Sequence, residues 1–116
     1  MNIKPSILSV FVLTTITYAT EAADKNVSHP RPVEIRFIHH HFVPEKIEVP
    51  AGVPLTIHVV NASRERIEFE SFKLNREKVV APGASIVVEI PALRAGSYDF
   101  YDDFHDDVPE GTIIAR

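Results

Sequence analysis

A chain of 116 residues carrying 16 acidic and 12 basic side chains, net charge −4, has no basic stripe of the kind nucleic acid requires and is too short to divide into two full domains. It contains no cysteine, which removes disulfides, thiolate nucleophiles, CxxC redox pairs and copper–thiolate electron transfer together. Stability must then come from burial or from bound metal.

Residues Met1 to Ala22 read as a secretory signal: Lys4 supplies the positive start, Ile7 to Ile16 the apolar stretch, and Ala19, Ala22 and Ala23 the small residues near the cut. Cleavage is expected after Ala22, with Ala19 the alternative. The apolar stretch Ile7 to Tyr18 is too short to span a bilayer and has no basic residues just after it, so no membrane insertion is expected once the signal is removed. About 94 residues remain, enough for one compact domain. Residues 23–32 are polar and contain prolines, which predicts a flexible N-terminus ahead of a single domain over 33–116.

From Val33 the side chains alternate, with Val33, Ile35 and Phe37 on one face, the two-residue period of a half-buried strand. Ile47 to Val49 is a short second strand closed by Pro50-Ala51-Gly52. Leu55 to Asn61, rich in β-branched residues, is a third, with Leu55, Ile57 and Val59 toward the core. Ile67 to Phe72 reads as extended, and Lys73 to Val79 has room for one helical turn. Ala81-Pro82-Gly83 turns the chain into Ile86 to Ile90, Arg94-Ala95-Gly96 turns it into Tyr98 to Tyr101, and Gly111 to Ala115 is the last strand. About seven short strands with no helical period predict an all-β, antiparallel sandwich or barrel.

Three constellations could carry chemistry. Asp102, Asp103, Asp106, Asp107 and Glu110 surround His105 between Tyr101 and Gly111, with no Lys or Arg among them. Crowded carboxylates repel and raise one another's pKa unless solvent, a distant base or a cation offsets them. An imidazole among carboxylates suits Cu(II), Fe, Mn or Zn, and a solvated acidic loop is the other reading. Glu68-Phe69-Glu70 places two carboxylates on one face of a strand, roughly 6.6 Å apart, as half of a metal cup or as an outward polar face. In His39-His40-His41, His40 is the histidine to watch, although such a run also captures metal weakly from solution. Glu77 gains meaning only if the fold sets it beside Glu68. No serine sits in a recognisable nucleophile elbow.

Tyr98-Asp99-Phe100-Tyr101-Asp102-Asp103-Phe104-His105, followed by Gly111 and a closing strand, resembles the end of a cupredoxin, whose pattern is Tyr-x-Phe-x-Cys-x-x-His, a methionine and a last strand. On that pattern Asp102 stands where the copper cysteine would be, His105 matches a copper histidine and Glu110 falls near the axial methionine. Phe42-x-Pro44-x-x-Ile47-x-Val49-Pro50-Ala51-Gly52, Glu68-Phe69-Glu70-Ser71, Glu77-Lys78, Pro82-Gly83, Gly96-x-Tyr98-x-Phe100 and Phe104-His105 resemble the EfeO-type cupredoxin-like domains of bacterial periplasmic iron-uptake systems. The resemblance covers nearly everything from Val33 onward and implies a cupredoxin-like Greek-key sandwich in the periplasm. It also implies binding of copper and/or iron, help in oxidising ferrous iron, and an iron permease or another uptake component as partner. Carried over, Glu68, Glu70, Asp103 and His105 are the foremost ligand candidates, followed by Glu77, Asp102 and Glu110. The rival function is a non-catalytic sandwich that docks on a periplasmic or membrane partner through its acidic face.

Overall fold

The computed structural model describes residues 2–4 and 32–116. The expected signal peptide and the N-terminal segment after it therefore lie almost wholly outside the described residues. From Val33 the chain forms nine strands: β1 (Val33–Ile38), β2 (His41–Val43), β3 (Lys46–Val49), β4 (Leu55–Asn61), β5 (Ile67–Ser71), β6 (Arg76–Val80), β7 (Ser85–Ile90), β8 (Gly96–Asp102) and β9 (Gly111–Ala115). They build a four-stranded sheet in the order β2-β1-β4-β7 and a five-stranded sheet in the order β3-β9-β8-β5-β6.

The all-β sandwich predicted from the sequence is present, with three corrections. Two strands beyond the expected seven are β2 and β6, and of the stretch Lys73 to Val79 expected to hold a helical turn only the first residues turn, the Asn75 N–H donating to the Phe72 carbonyl at 3.1 Å, while the rest is β6, paired along its length with β5 from Ile67↔Val80 to Ser71↔Arg76. Cross-strand pairing overrides the helix-forming tendency of Arg, Glu and Lys there. The sandwich is not antiparallel throughout, because β1 runs parallel to β4 and β3 parallel to β9.

The sheets close on one apolar core that takes its residues from the alternation in the sequence: Ile35 and Phe37, Leu55, Ile57 and Val59, Ile67 and Phe69, Val88 and Ile90, Phe100 and Ile113 are all buried. Phe42 sits at its centre, with ring centroids 5.3 Å from Phe37 and 5.2 Å from Phe100 in edge-on contacts worth about 0.5–1.5 kcal/mol each beyond area burial.

Three loops meet at one end of the sandwich. The β1–β2 turn is made by His39 and His40, both at positive φ (51° and 65°). Such angles are uncommon for side-chain-bearing residues, and they break the strand that would have put His39 and His41 on one face. The β4–β5 loop is fastened by Asn61, fully buried, whose Nδ2 donates to the carbonyls of Glu65 (2.6 Å), Val80 (3.1 Å) and Ala81 (3.2 Å) while its Oδ1 accepts from Ser63. The third is the acidic β8–β9 loop, residues 103–110.

Candidate metal centre

On β8 the two-residue alternation turns Phe100 and Asp102 inward and Tyr101 outward, and Asp103 opens the loop that follows. Asp102 is the only charged side chain set among the apolar inward positions of that strand, and its side chain has no solvent exposure. Three donors hold it: Oδ1 accepts from the backbone N–H of Glu68 (2.9 Å) and of Phe104 (3.1 Å), and Oδ2 lies 2.6 Å from His105 Nδ1. An ionised carboxylate only accepts, so Nδ1 carries the proton of this contact, and in the neutral ring Nε2 is then the nitrogen with a lone pair. Among the described residues Nε2 has no hydrogen-bond partner.

His105 lines an open pocket of about 210 Å³ whose wall also holds Tyr101, Asp103, Asp106 and Glu110. The pocket borders the acidic outer face of the five-stranded sheet. Glu70 on β5 lies directly opposite Glu77 on β6 and Tyr101 on β8, and Glu68 shares its face. The backbone joins the two regions, since the Asp103 N–H donates to the Glu68 carbonyl at 3.1 Å.

Glu68 is only 8% exposed, although it points away from the core, because neighbouring side chains cover it. Its carboxyl is pushed up to about 7, first by a hydrogen bond with the Glu77 carboxyl, then by burial and the nearby charges of Glu77, Asp103 and Glu70. A proton retained on Glu68 offsets part of the repulsion between it and the neighbouring carboxylates. The Tyr101 phenol is also raised, by burial, then by the neighbouring Glu70 carboxylate and by the charges of Asp103 and Glu110. Among the described residues no ion pair reaches Glu68, Glu70, Glu77, Asp103, Asp106 or Glu110.

A separate tie closes this end of the molecule. His40 sets Nδ1 3.1 Å from Glu65 and Nε2 2.8 Å from Asp107, and its ring stands edge-on to that of His105 at 5.6 Å. Both contacts are hydrogen bonds only when both ring nitrogens carry protons. The Asp107 bond, then the Glu65 bond, raise the His40 pKa above 6.5, and the same bond to His40 lowers that of Asp107. His39 and His41 are exposed on the surface.

The structure thus brings together Glu68, Glu70, Glu77 and Asp103 on one face, sets Asp103, His105 and Glu110 around one pocket, turns Asp102 inward beneath His105, and engages His40 with two carboxylates. Sequence reasoning missed Tyr101 and Glu65. Tyr101 was within reach, since alternation turns it to the face opposite the inward Asp102; Glu65 was not, since only the Asn61-anchored loop brings it to His40.

A copper site of the thiolate type does not fit this end of the sandwich: a carboxylate occupies the cysteine position, and both its oxygens are already bonded. Imidazole Nε2 with carboxylate oxygens does fit Cu(II) or iron as a donor set. Among the described residues no three His, Asp or Glu side chains stand in the spacing of a closed metal-binding group, so a cation would have to draw the pocket's donors inward.

A cupredoxin-like domain model matches residues 6–115. Uncharacterized protein RP394 of Rickettsia prowazekii (strain Madrid E) is 35% identical over 109 residues, covering 94% of this chain and 87% of that one. Among solved structures, amicyanin from Paracoccus versutus superposes with a TM-score of 0.59 at 19% identity, covering 75% of this chain and 83% of its own. The metal-binding domain of the Cu(I)-exporting P-type ATPase CopA of Streptococcus pneumoniae D39 superposes with a TM-score of 0.66 at 14% identity, covering 73% and 84%. The two sheets, the family match and the pattern around Asp102 and His105 agree, and the chain belongs to the cupredoxin-like domain family.

Proposed function

We propose that this chain is an exported, periplasmic metal-binding protein of the EfeO-type cupredoxin-like group, which takes Cu(II), iron or both beside the β8–β9 loop and assists the oxidation of ferrous iron and its passage to an iron permease. The observation that carries the reading is the Asp102–His105 pair. A buried carboxylate holding one imidazole nitrogen is the arrangement by which proteins fix a metal-ligating histidine and make its other nitrogen a better donor.

Asp103 and Glu110 extend the donor set along the pocket wall, and Glu68, Glu70 and Glu77 extend it along the sheet face. A cation held there would replace the proton retained by Glu68 and relieve the repulsion among these carboxylates. The unpaired acids also draw ferrous ions from solution as substrate. Hard oxygen donors hold the ferric ion more tightly than the ferrous one, which favours oxidation of iron held there. Copper, when bound, would supply a one-electron acceptor. Export rests on the Met1 to Ala22 leader, and the permease as partner rests on the resemblance to iron-uptake domains.

The test is metal analysis of the mature protein, produced without a histidine tag and titrated with Cu(II) and with iron. Binding near one equivalent, lost in His105→Ala and in Glu68→Ala while each variant keeps its fold, is the expected result. Unchanged binding in both variants would trace the metal to the exposed His39–His41 run and sink the proposal.

A further inference from the structure

We infer that Tyr101 is a ligand of the same site and that its phenolate oxygen gives the site its ferric character. The inference rests on the reading of the pocket as a metal centre, and adds a donor that neither the cupredoxin pattern nor the acidic loop supplies.

The placement carries it. Tyr101 is the β8 residue opposite Glu70, and Asp103 opens the loop that follows the strand. Its side chain lines the same pocket as Asp103, His105 and Glu110. With Asp103, it is a donor-bearing residue that belongs both to that pocket and to the neighbourhood of Glu70 on the sheet face. Tyr98, on the same strand, is spent elsewhere: its hydroxyl donates to the Arg94 carbonyl at 2.8 Å. The half-buried Tyr101 ring is fixed by the strand, which costs less ordering than recruiting a donor from a loop.

Phenolate is a hard anionic oxygen donor, matched to Fe(III) and poorly matched to Cu(I). In the step proposed, the phenol O–H breaks, its proton passes to a neighbouring carboxylate and then to water, and the oxygen bonds the metal. Iron enters as Fe(III) and stays Fe(III), so no oxidant or reductant is consumed.

The experiment titrates the metal-free mature protein with ferric nitrilotriacetate and follows the visible absorption and resonance Raman spectra beside bound-iron analysis. A phenolate-to-iron charge-transfer band should grow in with iron uptake. In Tyr101→Phe the band should vanish and ferric affinity should fall by about 10-fold or more, at least the cost of losing a supporting group around a metal. Tyr98→Phe should keep both, which controls for the loss of an aromatic hydroxyl on this strand. Iron bound without the band, or a band that survives in Tyr101→Phe, overturns the role of Tyr101 and leaves the carboxylate–imidazole site standing. No iron and no copper bound by the unaltered protein overturns the site itself, and Tyr101 with it.

Discussion

Asp102 offers the sharpest test, because two substitutions separate its work in the fold from its work on His105. In Asp102→Ala the buried N–H of Glu68 loses its acceptor, and the half-buried Phe104 N–H and His105 Nδ1–H lose theirs. A buried unsatisfied donor costs about 1–3 kcal/mol, and the other two can partly recover by bonding water. The total is about 3 kcal/mol, which for a domain of this size lowers Tm by about 12–24 °C. In Asp102→Asn the remaining carbonyl oxygen keeps both backbone bonds, so the cost falls to about 1 kcal/mol. The new amide N–H₂, however, faces His105 Nδ1, which must become an acceptor and pass its proton to Nε2, blocking the lone pair offered to a cation. Cu(II) affinity should then drop about 10–100-fold, equal to about 1.4–2.7 kcal/mol. Calorimetric titration and thermal unfolding, run on both variants, check the two effects. An Asp102→Asn protein that folds and binds Cu(II) as tightly as the parent would refute the claim that Asp102 prepares His105 for metal.

Three further outcomes follow from the same contacts. Glu68 has a higher pKa folded (about 7) than its ordinary 4.5, so the stability tied to its proton is full below 4.5 and is lost as pH rises through about 7; Glu77→Gln should flatten that decline in urea unfolding at pH 5 and pH 8, and an unchanged slope would show the pair does not share a proton. His40 is raised above 6.5, so its tie to Asp107 and Glu65 is full below 6.5 and fades as pH climbs past the raised value; NMR should find its midpoint above 6.5, moving back down in Asp107→Asn, and a midpoint at or below 6.5 in the parent counts against the tie. A Cβ at Gly111 would enter the buried ring of Phe100, so Gly111→Ala should destabilise the domain by at least about 1–3 kcal/mol in denaturant titration, and a neutral result would mean that β8 and β9 can spread apart freely.

What could be read in advance was whatever a two-residue period encodes. The buried faces of β1, β4 and β7, and the shared outward face of Glu68 and Glu70, followed directly from alternation. β2 escaped because it is three residues long and follows a turn of two histidines where Asn-Gly would be the usual signal. β6 escaped because its Arg, Glu and Lys are all at least partly exposed at a sheet edge, so only Val80 marks an inward side. Parallel pairing of β1 with β4 and of β3 with β9 leaves no local trace in either partner. At the site, the cupredoxin pattern located Asp102 and His105 but not their division of labour. The same alternation, carried from Phe100 to Asp102, points that carboxylate inward under the imidazole and leaves Tyr101 on the other face, opposite Glu70.

Placing a carboxylate at position 102 also bears on how the domain would endure the metal chemistry proposed for it. Iron and copper in air generate peroxide, which takes thiolates stepwise to sulfenic, sulfinic and sulfonic acids and converts methionine to its sulfoxide. Met1 is the sole sulfur-bearing residue of the chain. No sulfur group near Asp102 or His105 can climb that ladder, so a metal held in the proposed pocket would meet no thiol or thioether that needs a reductase to restore it.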